Sequence, residues 1–142
     1  MSSGEPAGRE TPLGLHPLSW RAFWAYAVLL FVATHWPKLK LPGGEVRSDL
    51  FVHFGAFGTW SFLLGASGLL GDWRSPWTLV KALVVGYLYA AFDEGLQIIP
   101  ALGRTCAWDD YGADCLGITL GVLALAVVVR AVGRREVADP GA

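Results

Sequence analysis

Four apolar stretches, each close to twenty residues and bounded by proline, glycine or charge, constrain this chain more than any other feature. They occupy residues 20–36, closed by Pro37; 50–70, with Gly55, Gly58, Ser61 and Gly65; 77–99, ending before Pro100; and 110–132, with Gly117 and Gly121. About 20 residues of helix cross the hydrocarbon core of a bilayer. The expected fold is therefore all-α, an integral membrane bundle of four transmembrane helices. A soluble bundle would need polar faces at helical spacing, and the second and fourth stretches have almost none. Trp20, Trp36, Trp73, Trp77 and Trp108 fall at the ends of the stretches, where indole rings favour the membrane–water boundary.

The organisation around this core is simple. Residues 1–19 form a polar tail punctuated by Gly4, Pro6, Gly8, Pro12, Gly14 and Pro17, without the apolar centre of a cleavable signal peptide. The membrane domain covers 20–132, and a C-terminal tail covers 133–142. A formal net charge of −1 gives no basic face for nucleic acid. Cys106 and Cys115 are nine residues apart; on a helix that is about 13 Å, too far for a disulfide. With four spans, seven lysines and arginines share a side with both termini and four lie opposite. The expected location is a bacterial cytoplasmic (inner) membrane, with multiple passes and both termini cytoplasmic.

Antiparallel threading brings the ionisable residues together. Asp49 and His53 begin the second segment, Glu94 and Gln97 end the third, and Asp110 and Asp114 begin the fourth, with Arg104 in the loop before it. All of them reach the same membrane face. Asp49 with His53, and Asp110 with Asp114, are spaced i,i+4, and Glu94 with Gln97 i,i+3, so each pair shares a helix face. Gly117 and Gly121 continue the Asp110–Asp114 stripe and form a small-xxx-small surface on which another helix can pack, including that of a second copy in a homo-oligomer.

Each residue also has a plainer explanation. Asp49 and Asp109 suit helix N-termini, His53 suits a core position with one hydrogen bond, and Gln97 suits interhelical contact. A carboxylate such as Asp49 can instead orient the His53 imidazole. Glu94 and Asp114 interrupt apolar segments without serving as caps, and intramembrane charge of that kind points to function. An ion cluster of Arg104, Glu94 and Asp114 holding three helices together is the structural alternative. Asp93 points elsewhere on its helix, Lys81 reads as a snorkelling lysine, Tyr87 as a packed aromatic, and His16 and His35 receive no role.

The order Asp49-Leu-Phe-Val-His53-Phe54-x-x-Phe57, Glu94-x-x-Gln97, Arg104, Asp110-x-x-x-Asp114-x-x-Gly117 resembles the VanZ-like family of bacterial membrane proteins, over about residues 23–129. The resemblance implies a small multi-span helical protein, and it implies binding roles for Asp49, His53, Glu94, Gln97, Arg104, Asp110 and Asp114. The family's founding member is associated with low-level resistance to teicoplanin, without an established biochemical mechanism. Two positions depart from the family pattern: Leu50 stands where lysine is usual, and Asp114 where asparagine is usual.

Three functions follow. The first is an envelope protein that binds a membrane lipid or lipid-linked cell-wall intermediate and affects glycopeptide susceptibility. The second is a membrane-embedded enzyme acting on a lipid-linked phosphate or acyl group, with His53, Glu94 and Asp114 as candidate catalytic residues and Arg104 as electrostatic stabiliser. The acidic groups can alternatively hold a divalent cation as cofactor, with His53 widening the choice of metal. A proton- or ion-coupled transporter ranks last, because all the charge lies at one face and no inverted repeat is visible.

Overall fold

The computed structural model describes residues 18–36, 48–99 and 108–138. Among them are four α-helices and no strand: α1 (Leu18–His35), α2 (Ser48–Ala66), α3 (Pro76–Gln97) and α4 (Trp108–Ala138). The helix count and order match the expectation from hydropathy. All four starts shift by two residues or fewer, and two ends differ more. α2 stops at Ala66 because Gly68 adopts φ 77°, a left-handed conformation that glycine enters without steric cost. α4 runs past residue 132, through Gly133 and on to Ala138.

By length and composition, one helix among the described residues can cross a membrane, α4 over Trp108–Arg134; Leu50–Ala66 is apolar but shorter. The two other helices are diluted by polar groups: α1 holds Arg21, Thr34 and His35, and α3 holds Lys81, Asp93 and Glu94.

The helices alternate in direction, and their side-chain pairings give the register. Phe23 packs edge-on against Trp60 at 5.4 Å and the Tyr26 hydroxyl donates to the Ala56 carbonyl at 3.1 Å, so α1 and α2 are antiparallel. α2 and α4 run parallel. A Cβ on Gly58 would meet the Gly117 carbonyl oxygen at 3.0 Å, and Gly117 and Gly121 lie directly against the Phe54 and Gly58 carbonyls. Ser61 Oγ, at the same seam, lies within hydrogen-bonding distance of the Ile118 carbonyl at 3.1 Å and the Gly58 carbonyl at 3.0 Å. The surface expected to serve a second copy is thus covered by α2 of the same chain. α3 is antiparallel to both, with Gly86 against Ile118 and the Tyr87 hydroxyl 2.7 Å from Thr119 Oγ1.

The α2–α3 connection is tightly built. Thr78 Oγ1 donates to the Asp72 carbonyl at 2.6 Å, Lys81 Nζ donates to the Leu70 carbonyl at 3.1 Å, and Trp73 is buried between Ala66 and Leu125. Trp73 therefore departs from the expected boundary role. Trp36, Trp77 and Trp108 are exposed at helix ends as anticipated, and Trp20 sits exposed near the start of α1. Phe57, Trp60, Leu64, Ala90 and Ile118 form the main core.

The glycine seam yields a direct test. Alanine normally favours a helix over glycine by up to about 1 kcal/mol, and Gly112→Ala, where nothing lies within 4 Å, should follow that rule. Gly117→Ala should instead lower stability by about 1–3 kcal/mol, because its methyl group meets backbone that cannot rotate away. Thermal or denaturant unfolding of the purified variants, followed by circular dichroism, measures both.

Candidate functional site

α1 and α3 end where α2 and α4 begin, and the threading therefore gathers six buried polar side chains, Thr34 among them, at one end of the bundle. Asp93 and Asp114 are completely enclosed, and His53, Glu94 and Gln97 are each less than a tenth exposed. Buried polar groups of this kind need partners, because an unpaired one costs free energy comparable to a lost hydrogen bond or more. The partners fall into two linked groups.

The first joins α2, α3 and α4. His53 Nδ1 lies 3.0 Å from Asp114 Oδ1, and Glu94 completes a set in which one donor atom from each residue lies within 4.8 Å of the others. The parallel register of α2 and α4 makes this pairing: the offset of 61 residues between His53 and Asp114 is close to that between Gly58 and Gly121. Phe57, one turn along α2, lies parallel to the imidazole within 5° at a centroid distance of 6.3 Å and restricts its rotation. Asp114 Oδ2 is buried and has no hydrogen-bond partner among the described residues.

The second group joins α1 to α3. Thr34 Oγ1 donates to Asp93 Oδ1 at 2.9 Å, and His35 Nδ1 lies 3.7 Å from the same oxygen and 2.9 Å from the Phe31 carbonyl. Gln97 links the groups. Its Nε2 donates to Glu94 Oε1 at 3.2 Å and approaches Asp93 Oδ2 at 3.4 Å, so one amide orients two carboxylates.

The residues expected from sequence divide accordingly. His53, Glu94, Gln97 and Asp114 are brought together. Asp110 is half-buried one turn before Asp114, and Asp109 is exposed. Asp49 begins α2 but its side chain lies outside the described residues, as do Arg104 and Cys106. The carboxylate at His53 Nδ1 is that of Asp114, contributed by another helix; the expected pairing of His53 with Asp49 lies outside the described residues. Cys115 is a free, half-buried thiol.

Asp93, Thr34 and His35 were missed. Neighbouring residues on a helix point about 100° apart, so Asp93 and Glu94 address different partners, and Asp93 faces α1. The available signal was the threading itself: α1 ends at the same face as α3, which places Thr34 and His35 beside any polar residue near the end of α3. Tyr87 likewise does more than pack, through its hydrogen bond to Thr119.

Chemically, the first group offers an imidazole held by a carboxylate, with a second carboxylate in reach. Such a set can move a proton or hold a cation. Comparison with protein-family models, with curated proteins and with solved structures finds no match.

The second group makes a stability prediction. Thr34→Val keeps the side-chain shape but removes the donor to Asp93, and should cost about 1–3 kcal/mol. Thr34→Ser should retain most of the wild-type stability. Denaturant unfolding of the two variants separates the hydrogen bond from the methyl contact.

Proposed function

We propose that this chain is a four-span protein of the bacterial cytoplasmic membrane, of the VanZ-like kind, that binds the polar head of an envelope lipid or lipid-linked cell-wall intermediate at the His53–Glu94–Asp114 end of the bundle. The observation that carries the reading is an inverted distribution of polarity. Charged and amide side chains are enclosed, while Leu29 is 64% exposed on α1, Phe51 71% on α2, Leu88 67% on α3 and Val127 62% on α4. Monomeric soluble proteins rarely present apolar surface on every helix, whereas lipid-facing helices do. This supports spans for α1, α2 and α3 as well as α4, the polar interruptions of α1 and α3 being turned inward or towards helix ends.

A groove of about 320 Å³ between α2 and α4 supports the lipid part of the reading. It starts at Phe54 and Gly117, next to the polar layer, and continues to Phe62 and Ala124, a length of roughly 12 Å along the helices. Its lining is almost wholly apolar and small-residue, which suits an acyl or prenyl chain whose head lies at the site. The His53–Asp114 pair favours a second reading, a membrane-embedded enzyme in which His53 moves a proton on a lipid-linked phosphate or acyl group.

The test is teicoplanin susceptibility of a bacterial host expressing wild type, Glu94→Ala or Asp114→Ala at matched membrane abundance. Wild type should shift susceptibility and both variants should lose the shift. An unchanged host with abundant wild-type protein would remove the glycopeptide connection. Loss of the folded protein in both variants would favour a purely structural cluster. Cysteine labelling from the two sides of the membrane should place position 72 with both termini on the cytoplasmic side.

A further inference from the structure

We propose that His53, Glu94 and Asp114 form a binding site for one divalent first-row transition cation, with manganese, iron and zinc as the fitting class. The inference goes beyond the envelope reading and stands without it, because it rests on the donor set and its geometry.

The three residues come from three helices, are all buried, and offer donor atoms within 4.8 Å of one another. At metal–ligand distances of about 2.0–2.2 Å, neighbouring donors in a tetrahedral site lie about 3.4 Å apart. The His53–Asp114 edge, at 3.0 Å, already has that scale. Side-chain adjustment on the order of 1 Å draws in the rest, within the reach of glutamate rotamers.

A second observation points to a ligand independently of the clustering. Asp114 is fully enclosed, yet among the described residues its Oδ2 has no hydrogen-bond partner. An orphaned carboxylate oxygen in such a setting is costly, and a bound cation supplies the missing interaction. The carboxylates alone would suit magnesium or calcium; the imidazole moves the preference towards manganese, iron or zinc.

The surroundings resemble the outer shell of a metal centre. Gln97 Nε2 donates to Glu94 Oε1 at 3.2 Å, which orients that carboxylate, and Phe57 restrains the imidazole. Outer partners of this kind fix ligand direction and tune affinity. The separation of His53 from Asp114 is set beforehand, since Gly117 and Gly121 lock α2 against α4. The three protein donors leave coordination positions for water or for an oxygen of a bound anionic head.

The experiment is metal binding by the full chain purified in detergent, stripped with chelator and titrated with Mn²⁺ or Zn²⁺. Calorimetry should show one saturable site, and electron paramagnetic resonance should show bound Mn²⁺. His53→Gln and Asp114→Asn should each weaken binding at least about tenfold, and Asp93→Asn should retain it. Circular dichroism and elution volume establish that the variants are folded. Failure of the stripped wild type to bind either cation saturably at millimolar concentration would overturn the proposal. So would equal binding by wild type and folded His53→Gln. Because the readout is the metal itself, the outcome is separate from any effect on teicoplanin susceptibility.

Discussion

The backbone contact between α2 and α4 sets the rest of this structure. Gly117 and Gly121 bring α4 onto the carbonyls of Phe54 and Gly58, an approach that any side chain at either position would prevent. Small residues at a helix–helix contact let the backbones approach this closely, and the association then rests on packing between the main chains. The contact also imposes the register. Once Gly58 sits at the Gly117–Gly121 seam, His53 must lie level with Asp114, and the polar pair follows from a packing decision made a turn deeper in the bundle.

The polar layer is arranged so that few groups depend on a single partner. Asp93 receives Thr34 and faces His35, Gln97 serves two carboxylates, and His53 meets Asp114. Interactions of this type strengthen in a low-dielectric interior, where an unmet group is also more expensive. Among the described residues, the buried atoms of this layer without a hydrogen-bond partner are Asp114 Oδ2 and His35 Nε2. Asp114 Oδ2 is the one that belongs to a carboxylate at the junction of three helices.

Much of this was legible in the sequence because it depends on period and order. The length of the apolar runs gave four helices, and alternation of direction gave one shared polar end, so His53, Glu94, Gln97 and Asp114 could be grouped without coordinates. What could not be read was rotation. That the His53 ring meets Asp114 across the seam depends on the contact between Gly58 and Gly117, which is a matter of ångströms. Asp93 does point elsewhere on α3 than Glu94, as its spacing implies, but its partners Thr34 and His35 cannot be named until α1 is placed beside it. Trp73 illustrates a third limit. Its place at a segment end suggested a membrane boundary, but the glycine turns at Gly68 and Gly71 fold the loop back and bury the ring.

The two faces of α3 have a mechanical consequence. α2 and α4 meet through backbone, whereas α3 meets α4 through the Ile118 side chain against Gly86 and the Tyr87 hydroxyl against Thr119. Adjacent residues of α3 then face two ways: Glu94 joins His53 and Asp114 of α2 and α4, while Asp93 accepts from Thr34 of α1. One peptide unit thus links the contact with α1 to the contact with α2 and α4, and α3 is pinned on two sides at the same height.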